Sequence, residues 1–429
     1  MPPVPRSLDD WLRYVAHQHP QAIALGLERV EAVRARMGLA FACPVIVVSG
    51  TNGKGSTCAM LEAILRAAGY RTGLYTSPHL LHYNERVRIA GAKGADEVLA
   101  AGFAAVEAAR GEVPLTYFEF GTLAAAWLFA REKPDVLVLE VGLGGRLDAV
   151  NVFDADCAVL TSIGIDHVDY LGATREVIGR EKAGIFRSGR PAIVADPQPP
   201  QSVMEAASAL GARLILIGRD FRCRVDGGQW MFESPEGRHM TLAHPALRGT
   251  MQLRNAGAAL AALESLRERL PVAMQDVRRG LSEVSLPGRF QVLPGRPQMV
   301  LDVAHNPEAA GVLAANLGAS GYAPETIAVL GMLRDKDIEG VLRAMAGRIT
   351  RWHLATLGGP RGAEAETLER ALRAAGATEP ASQHPSVAAA LAAARAEAGE
   401  GDKIVVFGSF LTVAEAMAHI KEATMFSHG

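Results

Sequence analysis

The sequence predicts two α/β domains built on largely parallel sheets, and three observations carry that prediction. With 429 residues the chain exceeds what one ordinary hydrophobic core accommodates. Short β-branched apolar runs alternate with longer Ala/Leu-rich stretches of helical length. The runs are apolar throughout rather than alternating, as strands covered on both faces require.

In the first half, strands are expected at Pro44 to Ser49, Asp135 to Val141, Asp156 to Ile163, Arg190 to Ala195 and Arg213 to Ile217. Thr57 to Ala68 and Gly121 to Arg131 read as helices between them. FRCRV and QWMF flank Asp226-Gly227-Gly228, the signature of a small β-hairpin inserted in this domain. A second set follows: strands at Gln298 to Val303, Thr326 to Leu330, Arg351 to Thr356 and Lys403 to Phe407, with a helix at Val387 to Ala398. The Pro/Gly-rich segment SLPGRFQVLPGRP between the sets reads as a linker. The expected division is 1–285, a P-loop ATPase-like domain; 286–297, the linker; and 298–429, a Rossmann-like α/β domain.

A net charge of −2 argues against a general nucleic-acid binder. The start, MPPVPRSLDDWLRYV, lacks the apolar stretch of a signal peptide, and no segment approaches the roughly 20 apolar residues of a membrane span. The four scattered cysteines, Cys43, Cys58, Cys157 and Cys223, show no metal spacing and suit reduced, mostly buried thiols in a cytoplasmic protein.

Function is most legible in Ser49-Gly50-Thr51-Asn52-Gly53-Lys54-Gly55-Ser56-Thr57, which follows the strand VIVV and precedes a helix. Glycines let successive backbone N–H groups converge, and a helix N-terminus adds the positive end of its dipole. Lys54 can reach terminal phosphates, and Ser56 or Thr57 can ligate Mg²⁺. The spacing departs from GxxxxGK[ST], since Val48 stands where a glycine is expected and Gly55 follows the lysine. Glycines alone would make only a tight turn; the lysine and hydroxyls favour a nucleotide site.

Glu140 closes the strand DVLVLE, where a carboxylate points into the crevice beyond a parallel strand. Read alone, His167 is a hydrogen-bonded strand-end histidine, Lys182 a solvated helix lysine and Asn255 a helix cap. Arg289 offers a fixed charge and a forked donor set, and Asp302 ends the strand MVLD.

GTNGKGST resembles the phosphate loop of the folylpolyglutamate synthase branch of the Mur ligase superfamily. TSPHL, YFEF, EVGLGGRLDAVN, SIGIDHVDYLG, EKAGI, LRGTMQLRNA, LPGRF, DVAHNP and FGSF follow it in the family's order along nearly the whole chain. The resemblance implies an ATP-dependent ligase that joins L-glutamate to dihydropteroate and to reduced folates through an acyl phosphate. Gly50 to Thr57, Asn255, Arg289 and Asp302 would bind ATP. Ser77, Glu140, His167 and Ser56 would hold Mg²⁺, two ions in all, with a monovalent cation as a further candidate. Lys182 would be carbamylated and become a metal ligand. Lys54, Lys182, His167 and His305 take the catalytic positions. Leu25, Gly26, Leu27, Phe118, Gly144, Gly145, Arg146 and Asp148 would line the pterin pocket, and His305 and Ser409 would position glutamate. Domain closure to assemble the site, and a monomeric state, are also implied.

A Mur enzyme acting on a uridine-linked precursor is disfavoured, because only about 44 residues precede the phosphate loop, too few for a separate nucleotide-sugar domain. A monofunctional folylpolyglutamate synthase is the closer rival, and LGLERV favours the bifunctional reading. A nucleotide-driven switch needs the loop but not Glu140, His167, Lys182 and DVAHNP together.

Overall fold

The computed structural model describes residues 5–426, with side chains through residue 421. The first four residues of the N-terminal stretch and the last three of the expected C-terminal domain lie outside that range. The chain forms two compact units, Met1–Ala246 with Leu253–Val284, and Leu247–Gln252 with Ser285–Gly429.

The first unit is organised by β1 (Val45–Ser49), whose residues are all buried. The strands that follow are β2 (Thr72–Tyr75), β3 (Val87–Ile89), β4 (Ala92–Lys93), β5 (Val136–Glu140), β6 (Cys157–Leu160), β7 (Pro191–Val194) and β8 (Arg213–Leu216). They form one sheet in the order β4-β3-β2-β5-β1-β6-β7-β8. From β2 to β8 every pairing is parallel, while β3 and β4 close one edge antiparallel. The strands β2 to β5 all lie on one side of β1 and β6 to β8 on the other, so β1 lies at a topological switch point. Its register pairs Val48 with Glu140 on one side and Ser49 with Leu160 on the other. Ile46, Val47 and Val48 are fully buried, each contributing roughly 1.5–3 kcal/mol by leaving water.

The expected strands of this unit are present, each slightly shorter. β2 was not anticipated: its sequence, TGLY, has little apolar character, and Gly73 is small because Leu137 and Phe129 press against its Cα. The expected hairpin is a three-stranded antiparallel sheet, β9 (Arg222–Asp226), β10 (Gln229–Glu233) and β11 (His239–Ala243). β11 joins because Met240 and Leu242 alternate inward, and Trp230 Nε1 donates to Ala243 O at 3.0 Å.

The second unit holds a six-stranded sheet in the order β12-β13-β17-β14-β15-β16. Its strands are β12 (Gln291–Leu293), β13 (Gln298–Leu301), β14 (Thr326–Leu330), β15 (Arg351–Ala355), β16 (Ala381–His384) and β17 (Lys403–Phe407). The segment read as a linker therefore carries a strand: between its Pro-Gly dipeptides, β12 pairs antiparallel with β13. Two of the four cysteines, Cys58 and Cys157, are buried, while Cys43 and Cys223 are half-buried, and all four are free. No helix among the described residues is long and apolar enough to cross a membrane.

The phosphate-loop helix, Lys54–Ala67, packs on β1, β2 and β5 and against the helix Met274–Glu283. A Cβ at Gly280 would stand 2.5 Å from Ile64 Cα, so the two backbones approach where only glycine fits. Gly280→Ala should cost about 1–3 kcal/mol of stability by overpacking, read by urea denaturation. An unchanged midpoint would contradict this packing account.

Candidate functional site

The loop between β1 and the helix Lys54–Ala67 is held by the turn after β6. Thr51 N donates to Ser162 O at 2.8 Å, Asn52 N to Ser162 Oγ at 3.0 Å, and Thr161 Oγ1 to Asn52 O at 2.6 Å. Thr51 Oγ1 donates to Gly164 O at 3.0 Å and lies 2.9 Å from Gly164 N. A side chain at Gly50, where φ is +152°, would collide with Thr161 Oγ1. Gly53, at φ +89°, ends the loop; a Cβ there would meet Asn255 Oδ1 at 2.5 Å. Asn255 thus lies against the phosphate loop at Gly53. It is not a cap: the helix begins at Met251, so Asn255 lies one turn inside it. Lys54 Nζ folds back on Gly50 O and Thr51 O, at 2.9 and 3.3 Å.

Charged groups gather behind this loop. Glu140 is buried at the end of β5, and Ser77 N donates to its Oε2 at 3.2 Å. Ser49 Oγ donates to Gly144 O at 2.8 Å, which ties the glycine turn after β5 to β1. Within that turn Asp148 is buried, accepting from Leu143 N at 2.8 Å and Val150 N at 3.0 Å. Burial raises its carboxyl to about 7 against those donors and the Lys54 charge.

Lys182 is buried, contrary to the solvated lysine its sequence suggests. Gly145 makes this possible, since a Cβ there would press on Lys182 O at 2.7 Å. Burial, then the Lys54 charge, lowers the Lys182 ammonium to about 7, against Asp166, Asp148 and Glu181. His167 takes a left-handed conformation, φ 53°, ahead of the short helix Val168–Leu171, with Nε2 3.9 Å from Asp166 Oδ2.

These groups fit a hard divalent cation. Glu140 offers a carboxylate beside Ser77, and in the first turn of the loop helix Thr57 Oγ1 is buried with no hydrogen-bond partner. Among the described residues no cluster of three or more His, Cys, Asp or Glu side chains is present.

Next to the glycine turn lies the segment before the helix Glu28–Met37. Leu25 and Leu27 are half-buried, and Gly26 N donates to Leu147 O at 3.3 Å. Gly26, with φ 148°, lies in coil and is not part of a helix. Phe118 sits in the first turn of Tyr117–Glu132, a helix that starts one turn earlier than expected because Thr116 caps it. The ring lies against Gly142, where a Cβ would meet it at 2.6 Å, and 5.9 Å from Tyr75. Arg146 is exposed and pairs with Glu181 at 3.0 Å.

The remaining residues belong to the second unit, at the C-terminal ends of β13 and β17. Asp302 accepts from Phe290 N and Ala304 N, both at 2.8 Å, and burial raises its carboxyl against those donors and Arg289. The Arg289 guanidinium lies 4.9 Å from the Phe410 ring centre, and His305 6.2 Å from the same ring. Ser409 Oγ is bound to Thr412 Oγ1 at 2.7 Å. Arg289, Asp302, His305 and Ser409 thus share one edge of this sheet.

Residues 48–263 match the Mur ligase middle domain and 288–410 the Mur ligase glutamate ligase domain. The chain is 46% identical over 417 residues to the dihydrofolate synthase/folylpolyglutamate synthase of Escherichia coli K12, covering 97% of this chain and 96% of that protein. The chain belongs to this family of Mur ligases. The solved E. coli FolC in complex with DHPP and ADP superposes with a TM-score of 0.93 at 46% identity, covering 99% of this chain and all of that one. A bifunctional folylpolyglutamate synthase/dihydrofolate synthase with Mn, AMPPNP and L-glutamate bound gives 0.90 at 45%, covering 98% and 99%.

Some residues that shape the surroundings of this loop have no individual role legible in the sequence. Thr161 and Ser162 end an apolar strand, and Glu119 reads as one more helix carboxylate. Only the fold brings Glu119 to Arg29. Gly53→Ala should raise the KM for ATP at least about tenfold, since its φ and the Asn255 contact both exclude a side chain. Wild-type ATP kinetics in that variant would count against this loop as the phosphate site.

Proposed function

We propose that this chain is an ATP- and Mg²⁺-dependent ligase that adds L-glutamate to dihydropteroate, forming dihydrofolate, and to reduced folates, forming polyglutamates. The observation that carries this is the placement of the Lys54 loop at the end of β1, with Glu140 of β5 and the Thr161-Ser162 turn on either side. That is where open parallel sheets bind ligands, and it brings a lysine, oriented amides and a carboxylate together.

In the reaction an oxygen of the acceptor carboxylate attacks the γ-phosphorus of ATP, and the bond to ADP breaks. The glutamate amine then attacks the acyl carbon, phosphate leaves, and the nitrogen loses a proton as the amide forms. Lys54, released from Gly50 O and Thr51 O, meets the charge on the transferring group together with the loop N–H groups. Asn255 orders the loop from the helix side through its contact at Gly53. Mg²⁺, held by Ser56, Ser77, Glu140 and His167, would supply charge neutralisation between the γ-phosphate and the attacking carboxylate. Leu25, Leu27, Phe118 and the Gly144–Asp148 turn would form the apolar walls of the pterin pocket, with Asp148 as its polar anchor. Arg289 and Asp302 would contact nucleotide, and His305 and Ser409 would position glutamate. The four free cysteines support a reducing, cytoplasmic location.

Phosphate release from ATP with L-glutamate tests the reading. Turnover with both dihydropteroate and tetrahydrofolate, absent without glutamate, is expected. Turnover with tetrahydrofolate alone would make the chain a polyglutamate synthase, and silence with both would refute the acceptor class.

Lys182 is proposed to be a carbamate: its neutral amine attacks CO₂ and releases one proton. An amine titrating near 7 is largely neutral above that pH, so modification and activity should rise as pH passes through about 7. Lys182→Ala should lose at least about a hundredfold in kcat and recover in part with short carboxylic acids. Full activity of that variant would refute the proposal.

A further inference from the structure

The guanidinium of Arg29, at the start of the helix Glu28–Met37, is held by two groups, a carboxylate and a backbone carbonyl. Its Nη2 and Nε lie 2.7 and 3.1 Å from Glu119 Oε1, and Nε lies 3.3 Å from Oε2. Nη2 also donates to Ala24 O at 2.7 Å. Glu119 is buried, and its Oε2 accepts from Thr116 N at 2.7 Å, closing the cap of the helix that carries Phe118. One carboxylate therefore fixes both the N-terminus of the Phe118 helix and, through Arg29, the chain at Ala24. Gly26 N, bound to Leu147 O, ties the same segment to the glycine turn.

We propose that Arg29 and Glu119 act as a positioning clamp for the acceptor pocket, locking Leu25–Leu27, Phe118 and the Gly144–Asp148 turn into one dihydropteroate-shaped arrangement. The proposal rests on the pocket reading above. Neither residue needs to touch the acceptor; they act through the residues they hold. Three features support geometry over bulk stability as the pair's role. Arginine's planar fork reaches a carboxylate and a carbonyl together, which a lysine ammonium on a flexible stem does not reproduce. A buried ion pair is a weak stabiliser compared with apolar packing, yet it fixes orientation in two directions. The two segments it joins, Ala24 to Arg29 and the start of the Phe118 helix, lie about 90 residues apart in sequence.

Two variants test the clamp by steady-state kinetics. Arg29→Lys keeps the charge but loses the fork. Glu119→Gln keeps an acceptor for the Thr116 cap but loses the ion pair. Each should raise the KM for dihydropteroate about tenfold or more while leaving the KM for ATP and kcat at saturation within about twofold of wild type. A wild-type KM for dihydropteroate in folded variants would overturn the proposal, as would an equal rise in the KM for ATP, which a merely structural pair would produce. If Glu119→Gln does not fold, Arg29→Lys decides by the same readout. Wild-type protein active with tetrahydrofolate but silent with dihydropteroate would overturn the pocket reading and the clamp together. Wild-type turnover with both acceptors and unaltered variants would overturn the clamp alone.

Discussion

A phosphate loop of glycines and small polar residues has no apolar surface to fold on, so its shape must be imposed by partners. Here the turn after β6 imposes it. Thr51 and Asn52 exchange hydrogen bonds with Thr161, Ser162 and Gly164, and Gly50 passes so close to Thr161 that no side chain could stand there. That docking is possible because β1 and β6 are adjacent and parallel, with Ser49 opposite Leu160. On the other side Val48 is opposite Glu140, so the same register delivers the carboxylate to the loop. The position of Lys54 and the closeness of Asn255 follow from that arrangement.

The electrostatics of the first unit follow from the same packing. Asp148 and Lys182 are both buried and both displaced to about 7, in opposite directions, chiefly by loss of water. A structural ion pair would normally strengthen both charges; here burial weakens both, and the Lys54 charge lowers the carboxyl and the ammonium alike. Ionisable groups displaced by burial beside such a loop are the arrangement on which the proposed reaction site rests. The glycine turn makes the burial possible, because Gly145 lets the Lys182 backbone lie directly against it.

Much of this was readable from residue order. Continuous apolar runs placed β1, β5, β7 and β8 within one residue at each end and β6 within three, and the strand-loop-helix context marked the phosphate loop. Other parts were hidden for identifiable reasons. β2 is a central strand whose glycine answers to Phe129 and Leu137, so it lacks the apolar signature. β12 lies between Pro-Gly pairs that also suit a linker, and only its pairing with β13 reveals it. Lys182 reads as a surface lysine because helical periodicity says nothing of what packs over the helix.

The sequence by itself determined the α/β class, the strand-loop-helix unit and the chemistry available to it, because periodicity and glycine placement are local properties of the chain. Tertiary structure decided which side chains share a pocket and in what charge state. Burial, strand register and contacts such as Arg29 with Glu119 join residues far apart in sequence, and their energies depend on neighbours that no local pattern contains.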